Sequence, residues 1–251
     1  MCILIYSIFS HYCSDMFSIT SLLTAFPFFA LVISVFLLGF LLIGGASINS
    51  AYSSVYLLKA SFNQTSPLLV QAANSSVTGI TIKANYMALC VSSTNQLMCS
   101  PSKNLTALQE ATTISNGPVN FSLVTVAEAL TQVCKPYLLV TSIVLLLLLL
   151  VFVIWIGLPF VPGKAMASRI ALGFTGLTVV VWGLGAMLQQ QGVEGAREFI
   201  LVASMEMVIV LRGGRAHAMA WTAFSFVLAA FLCLGIGSIR SYYLARSMEK
   251  F

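Results

Sequence analysis

Four stretches of this sequence, Leu22–Ala46, Tyr137–Leu158, Ile170–Leu188 and Met219–Ile239, contain no Asp, Glu, Lys, Arg or His. A helix rises 1.5 Å per residue, so about twenty such residues cross the roughly 30 Å hydrocarbon core of a bilayer. Each stretch therefore predicts a transmembrane helix. Composition agrees: 59% of residues are hydrophobic and 8% charged, where soluble domains carry about a quarter charged. The first run is too long for the core of a cleaved signal, so we expect it to be retained; cleavage after Ala46 is the less favoured reading. Pro136 and Pro159 bracket the second run, as proline does at a first helical turn and beyond a last one.

Charge orients the spans. The link 159–169 holds Lys164 and Arg169 and no acid, and the tail 240–251 holds Arg240, Arg246 and Lys250 against Glu249. Both read as cytosolic, which puts the N-terminal segment 1–21 in the cytosol with the C-terminus. The segments 47–136 and 189–218 then lie outside. All eight asparagines fall in 47–136, and four of them, Asn63, Asn74, Asn104 and Asn120, stand in Asn-x-Ser/Thr. Such acceptor triplets fit a glycosylated outer loop, the alternative being plain Ser/Thr richness.

An outer segment of about ninety residues is too long to lack structure of its own. Across Thr78–Tyr86 the residues Ile80, Ile82, Ala84 and Tyr86 alternate with Thr81, Lys83 and Asn85, which predicts a strand with one packed face. Tyr52–Lys59 and Leu68–Ala72 are weaker strand candidates. Phe121, Val124, Ala127, Leu130 and Cys134 recur at helical spacing before the second span. In the second outer segment, Phe199–Leu211 is apolar on the odd positions, with Ser204, Glu206 and Arg212 on the even ones. We expect a strand whose odd residues are buried; a helical extension of the third span competes with it.

Cys90 and Cys99 follow the clearest strand. Outside the cytosol thiols oxidise, and a hairpin stapled across two strands suits this spacing; a catalytic or metal-binding thiol is the other reading, with no histidine in the loop to support it. Cys134 would then be a free thiol or an intermolecular link. Cys233 reads as packing within the fourth span. Cys2 and Cys13 face the cytosol, where acylation competes with no role.

Several function classes drop out. His11 and His217 lie on opposite sides of the membrane in this topology, and no HExxH, phosphate-cradling loop or Ser/His/Asp grouping occurs, so no catalysis and no cofactor is expected. The spans lack the ionisable groups that pumps and proton relays place at membrane depth. The first outer loop carries Lys59, Lys83, Lys103 and Lys135 against Glu110 and Glu128, and neither outer loop contains Asp or an EF-hand pattern. No resident metal site is expected, although a ring of Glu from several subunits stays open. The scattered basic residues argue against nucleic acid. The remaining partners are the lipid bilayer, other membrane proteins or further copies of the chain. Gly173, Gly176, Gly183, Gly185, Ala216 and Ala220 allow close helix approach, either within the bundle or to a partner.

The run from Tyr86 to Cys99, Tyr-Met-Ala-Leu-Cys-Val-Ser-Ser-Thr-Asn-Gln-Leu-Met-Cys, resembles the first-loop signature of the claudin superfamily, where an aromatic and a leucine precede a spaced cysteine pair. Tyr86, Leu89, Cys90 and Cys99 carry that resemblance. Gly213-Gly214-Arg215-Ala216 followed by Trp221-Thr222-Ala223-Phe224 is similar to the approach to the last span in a fungal family of calcium regulators and membrane-fusion proteins of mating. Asn85 and Ala88 stand where that family has glycines, and the outer loop lacks the tryptophans of claudins. The resemblance implies a left-handed four-transmembrane-helix bundle with a small extracellular β-sheet, built mostly from the first loop with one strand from the second. It also implies a plasma-membrane protein that supports calcium influx and membrane fusion at cell–cell contact. Sister groups sharing the topology, those of membrane furrows, wall stress and ambient-pH sensing, give the alternative function.

Overall fold

In a computed structural model of the chain, residues 25–44, 54–63, 65, 80–92, 97–101, 113–116, 119–122, 136–158 and 163–248 are described. Among the described residues, four helices are long and apolar enough to cross a membrane. They are α1 (Ala25–Ile43), α2 (Tyr137–Gly157), α3 (Lys164–Ala203) and α4 (Gly214–Met248). The strands are β1 (Leu58–Phe62), β2 (Thr81–Ala84), β3 (Ala88–Ser92), β4 (Leu97–Pro101), β5 (Thr113–Asn116), β6 (Val119–Ser122) and β7 (Val208–Arg212). The chain divides into a helical unit (residues 1–36, 141–183 and 222–251) and a second unit (residues 37–140 and 184–221) that contains the strands.

In the helical unit, apolar side chains point in every direction. On α2, Leu146, Leu149 and Val153 are buried, while Val144, Leu147, Leu148, Val151, Ile154 and Trp155 are exposed. A helix apolar all round needs a nonpolar solvent on its open face, which is a bilayer. Small residues set the contacts between helices: a Cβ on Gly183 would lie 3.0 Å from the ring of Phe224, and one on Gly176 would lie 3.4 Å from that of Phe231. Phe152 of α2 stacks on Phe174 of α3 with centroids 5.7 Å apart. The buried hydroxyl of Ser34 donates to the carbonyls of Ala30 at 2.8 Å and Ala223 at 3.3 Å, so its polarity is answered inside the unit.

The second unit holds a five-stranded sheet in the order β4-β3-β2-β1-β7, with every pairing antiparallel. A β5–β6 hairpin stands apart from it. The sheet's packed face is one register row after another: Leu58 opposite Ala84, Ala60 opposite Ile82 and Val210, Phe62 opposite Val208. These residues, with Leu89 and Val91, form one apolar core closed by Val193 and Ile200 of α3. The other face carries Lys59, Lys83 and Cys90 in register.

Several expectations need correction. Helix α3 does not end at Leu188 but runs on through Ala203, so Phe199–Ala203 is helical and the strand starts only at Val208. Its buried residues are Val208 and Val210, the even positions, whereas Leu211 is exposed. The parity reading failed because the turn Ser204–Met207 resets the phase, and because both faces of β7 are apolar. Ser204, assigned to the open side, is 2% exposed; its Oγ accepts the N–H of Val208 at 3.2 Å. Strand β1 begins at Leu58, later than the expected Tyr52–Lys59. Asn85 is buried in the β2–β3 turn rather than on the open face, its N–H donating to Ala88 O at 3.0 Å. Phe121 lies in β6, not on a helix. The Leu68–Ala72 segment, Cys2, Cys13 and Cys134 lie outside the described residues.

Candidate functional site: the stapled sheet

The site suggested by the sequence is assembled on the second unit. Cys90 sits mid-β3 and Cys99 mid-β4 as direct cross-strand partners, with Cα atoms 4.0 Å apart and a disulfide between them. Such close pairing occurs where the two residues exchange no backbone hydrogen bonds. Alternation points Leu89 to the packed face, where it is fully buried, and Cys90 to the opposite one, where it is still only 1% exposed. Tyr86 is buried in the turn that leads into β3. The aromatic and leucine before the first cysteine thus anchor the stapled hairpin to the core.

Gly213 joins β7 to α4. Its N–H donates to Leu57 O at 2.9 Å, and a Cβ there would fall 1.6 Å from Tyr56 O. Two backbones touch at this point, so only glycine fits. Trp221 lies one turn further along α4 than His217, and the two rings meet edge to face at 6.1 Å. Beside Gly213, Arg212 donates to Glu194 Oε1 of α3 at 3.0 Å, and Arg197 is 3.9 Å from the same carboxylate. Lys83 stands 5.5 Å over the ring of Tyr56. Sequence reasoning missed these contacts because they join residues without a shared period. A cavity of about 10 Å³ between Gln189, Arg212, Gly213 and His217 is water-sized, too small for an organic ligand. Among the described residues no three His, Cys, Asp or Glu side chains converge.

Asn63, just past β1, ties two parts of the unit together. Its Nδ2 donates to Glu206 O at 3.0 Å, and its Oδ1 accepts the Thr65 hydroxyl at 2.7 Å and the Thr65 N–H at 3.2 Å. Its own N–H donates to Met207 O at 2.8 Å. The Asn63 side chain thus clamps the turn before β7. Asn63→Ala should lower stability by about 1–2 kcal/mol, the cost of losing bonds to fixed partners, whereas Thr65→Ala, which keeps the Glu206 bond, should cost less. Thermal unfolding of the two variants in detergent orders them; equal midpoints would remove the clamp. Asn120 lies on β6 opposite Ser115, and Asn74 and Asn104 lie outside the described residues.

The model of the family described as "Ca2+ regulator and membrane fusion protein Fig1" matches residues 69–240, more than half of the chain. The chain belongs to the Fig1 family. The matched span holds the stapled hairpin, Gly213, Trp221 and helices α2 and α3; α1 and β1 precede it. The Factor-induced gene 1 protein of Saccharomyces cerevisiae is similar, 26% identical in an alignment 232 positions long that covers 78% of this chain and 77% of the relative.

Proposed function

We propose that this Fig1-family protein works at the plasma membrane of fungal cells in contact during mating, where it supports calcium influx and membrane fusion through interactions and not through catalysis. The family description, matched over residues 69–240, is the observation that carries this reading. The four apolar helices supply a bilayer anchor, and the disulfide between Cys90 and Cys99 suits a sheet exposed to an oxidising exterior. In this reading both termini are cytosolic, the arrangement is claudin-like, and Asn63, Asn74, Asn104 and Asn120 carry glycans. An Asn63 glycan would leave one Nδ2 hydrogen for Glu206 O.

Deletion tests it. Mating cells lacking the protein should fuse less often and take up less calcium when stimulated by pheromone. Normal fusion together with normal uptake would sink the proposal. Glycosidase treatment of the purified protein should lower its apparent mass; no shift would remove the glycans and weaken the outside assignment of residues 47–136.

A further inference from the structure

The outer end of α3 carries more apolar surface than its fold uses. Val193, Ala196 and Ile200 face the sheet and close its core. On the opposite side of the same turns, Phe199 is 74% and Val202 76% exposed, and Met205, in the turn that follows, is 71% exposed. Residues three apart on a helix are neighbours, so Phe199 and Val202 form one apolar step.

This step is set off along α3 from the helix's uncharged apolar run. The apolar run of α3 ends at Leu188, and Gln189, Gln190, Gln191, Glu194, Arg197 and Glu198 follow before Phe199. Eleven residues of helix place Phe199 about 16 Å beyond that end.

The turn itself is built to present Met205. The N–H of Glu206 donates to Leu201 O at 3.0 Å and that of Met205 to Val202 O at 3.1 Å, the double bond of a Schellman cap. Such a cap takes glycine at its left-handed position, yet Met205 stands there at φ 49° with Glu206 at 62°. A long apolar side chain held in a backbone state that disfavours it, and left in solvent, contributes nothing to the packed core.

We infer that Phe199, Val202 and Met205 form a lipid-inserting tip that touches the surface of an apposed bilayer. Size decides the occupant: three side chains present on the order of 400 Å², half of the roughly 800 Å² each partner gives to a stable protein interface, whereas a few apolar side chains suffice to seat an amphipathic helix end in a headgroup layer. The inference rests on the membrane-fusion reading above and names the surface with which that reading makes contact.

The full chain carrying Phe199→Trp, in nanodiscs of ordinary phosphatidylcholine, is mixed with protein-free vesicles of brominated phosphatidylcholine. The emission added by the substitution should lose about half its intensity, because such side chains settle roughly 5–10 Å into the headgroup–acyl boundary. Three results overturn the inference: no quenching at saturating vesicles; a change only when a second protein-bearing nanodisc is supplied, which assigns the tip to another copy; or emission already blue-shifted and unresponsive, which assigns it to a segment of this chain. Met205→Gly separates docking from folding, since it relieves the left-handed residue while removing the side chain; it should unfold no earlier than wild type and still bind vesicles more weakly. In mating cells, the combination Phe199→Ser, Val202→Ser and Met205→Gly should keep the Cys90–Cys99 disulfide and reduce fusion on the order of tenfold. Unchanged fusion by that variant overturns the inference while the deletion phenotype still stands. The vesicle measurement needs no cells, so it does not depend on the outcome of the deletion.

Discussion

Gly213→Ala is expected to detach β7 from β1 and to lower stability by about 3 kcal/mol or more, the upper range for overpacking a close contact. The new methyl would lie 1.6 Å from Tyr56 O and 2.7 Å from Tyr56 C. Both are backbone atoms, so no rotamer change relieves the clash. Residues 56–57 would have to withdraw, breaking the bond from Gly213 N–H to Leu57 O and the adjoining pair Leu58–Arg212 at the start of the ladder. Arg212 would then lose its placement against Glu194. Gly214→Ala is the control: nothing lies within 4 Å of its Cβ position, and alanine favours helix over glycine by up to about 1 kcal/mol. Unfolding midpoints and protease resistance in detergent compare the two. Equal midpoints would refute the close approach at Gly213.

Cys90→Ala should cost about 2–3 kcal/mol through loop closure alone, for a bridge of sequence separation 9. Because Cys90 is 1% exposed, removing its sulfur also leaves a small void. Among the described strands β4 lies at one end of the sheet and pairs with β3 alone, so the disulfide to Cys90 is a covalent tie at that edge. Cys99→Ala should lose the same bridge with a smaller packing loss, since Cys99 is partly exposed. The double variant should be scarcely worse than Cys90→Ala, because one bridge is lost only once. Fully additive losses in that cycle would mean that the two cysteines act separately.

Some of the stapled sheet was legible in advance, and some was not. The alternation Ile80, Ile82, Ala84 was readable because each open-face neighbour, Thr81 or Lys83, is polar; a clean period of two has one solution. Cys90 and Cys99 were readable because a short-range pair across adjacent strands needs only spacing. Phe199–Leu211 was misread for the converse reason. Its apolar residues satisfy a helix over Phe199–Ala203 and a strand over Val208–Arg212, and the cap at Met205 and Glu206 uses non-glycine residues where glycine would have marked the break. Asn85 was misplaced because a buried turn looks polar in sequence. The pair Arg212–Glu194, eighteen residues apart, left no periodic trace.

Local chemistry by itself determined that this chain carries four uncharged stretches long and apolar enough to cross a bilayer and gathers its asparagines and paired cysteines in one segment: length, apolar content and charge act residue by residue and need no partner. Only the tertiary structure decided where α3 stops, which face of β7 is buried, why Gly213 must be glycine, and that Phe199, Val202 and Met205 are left over once the core is closed. Those are questions of what packs against what, and a sequence in which both faces are apolar does not say which face its neighbour will take.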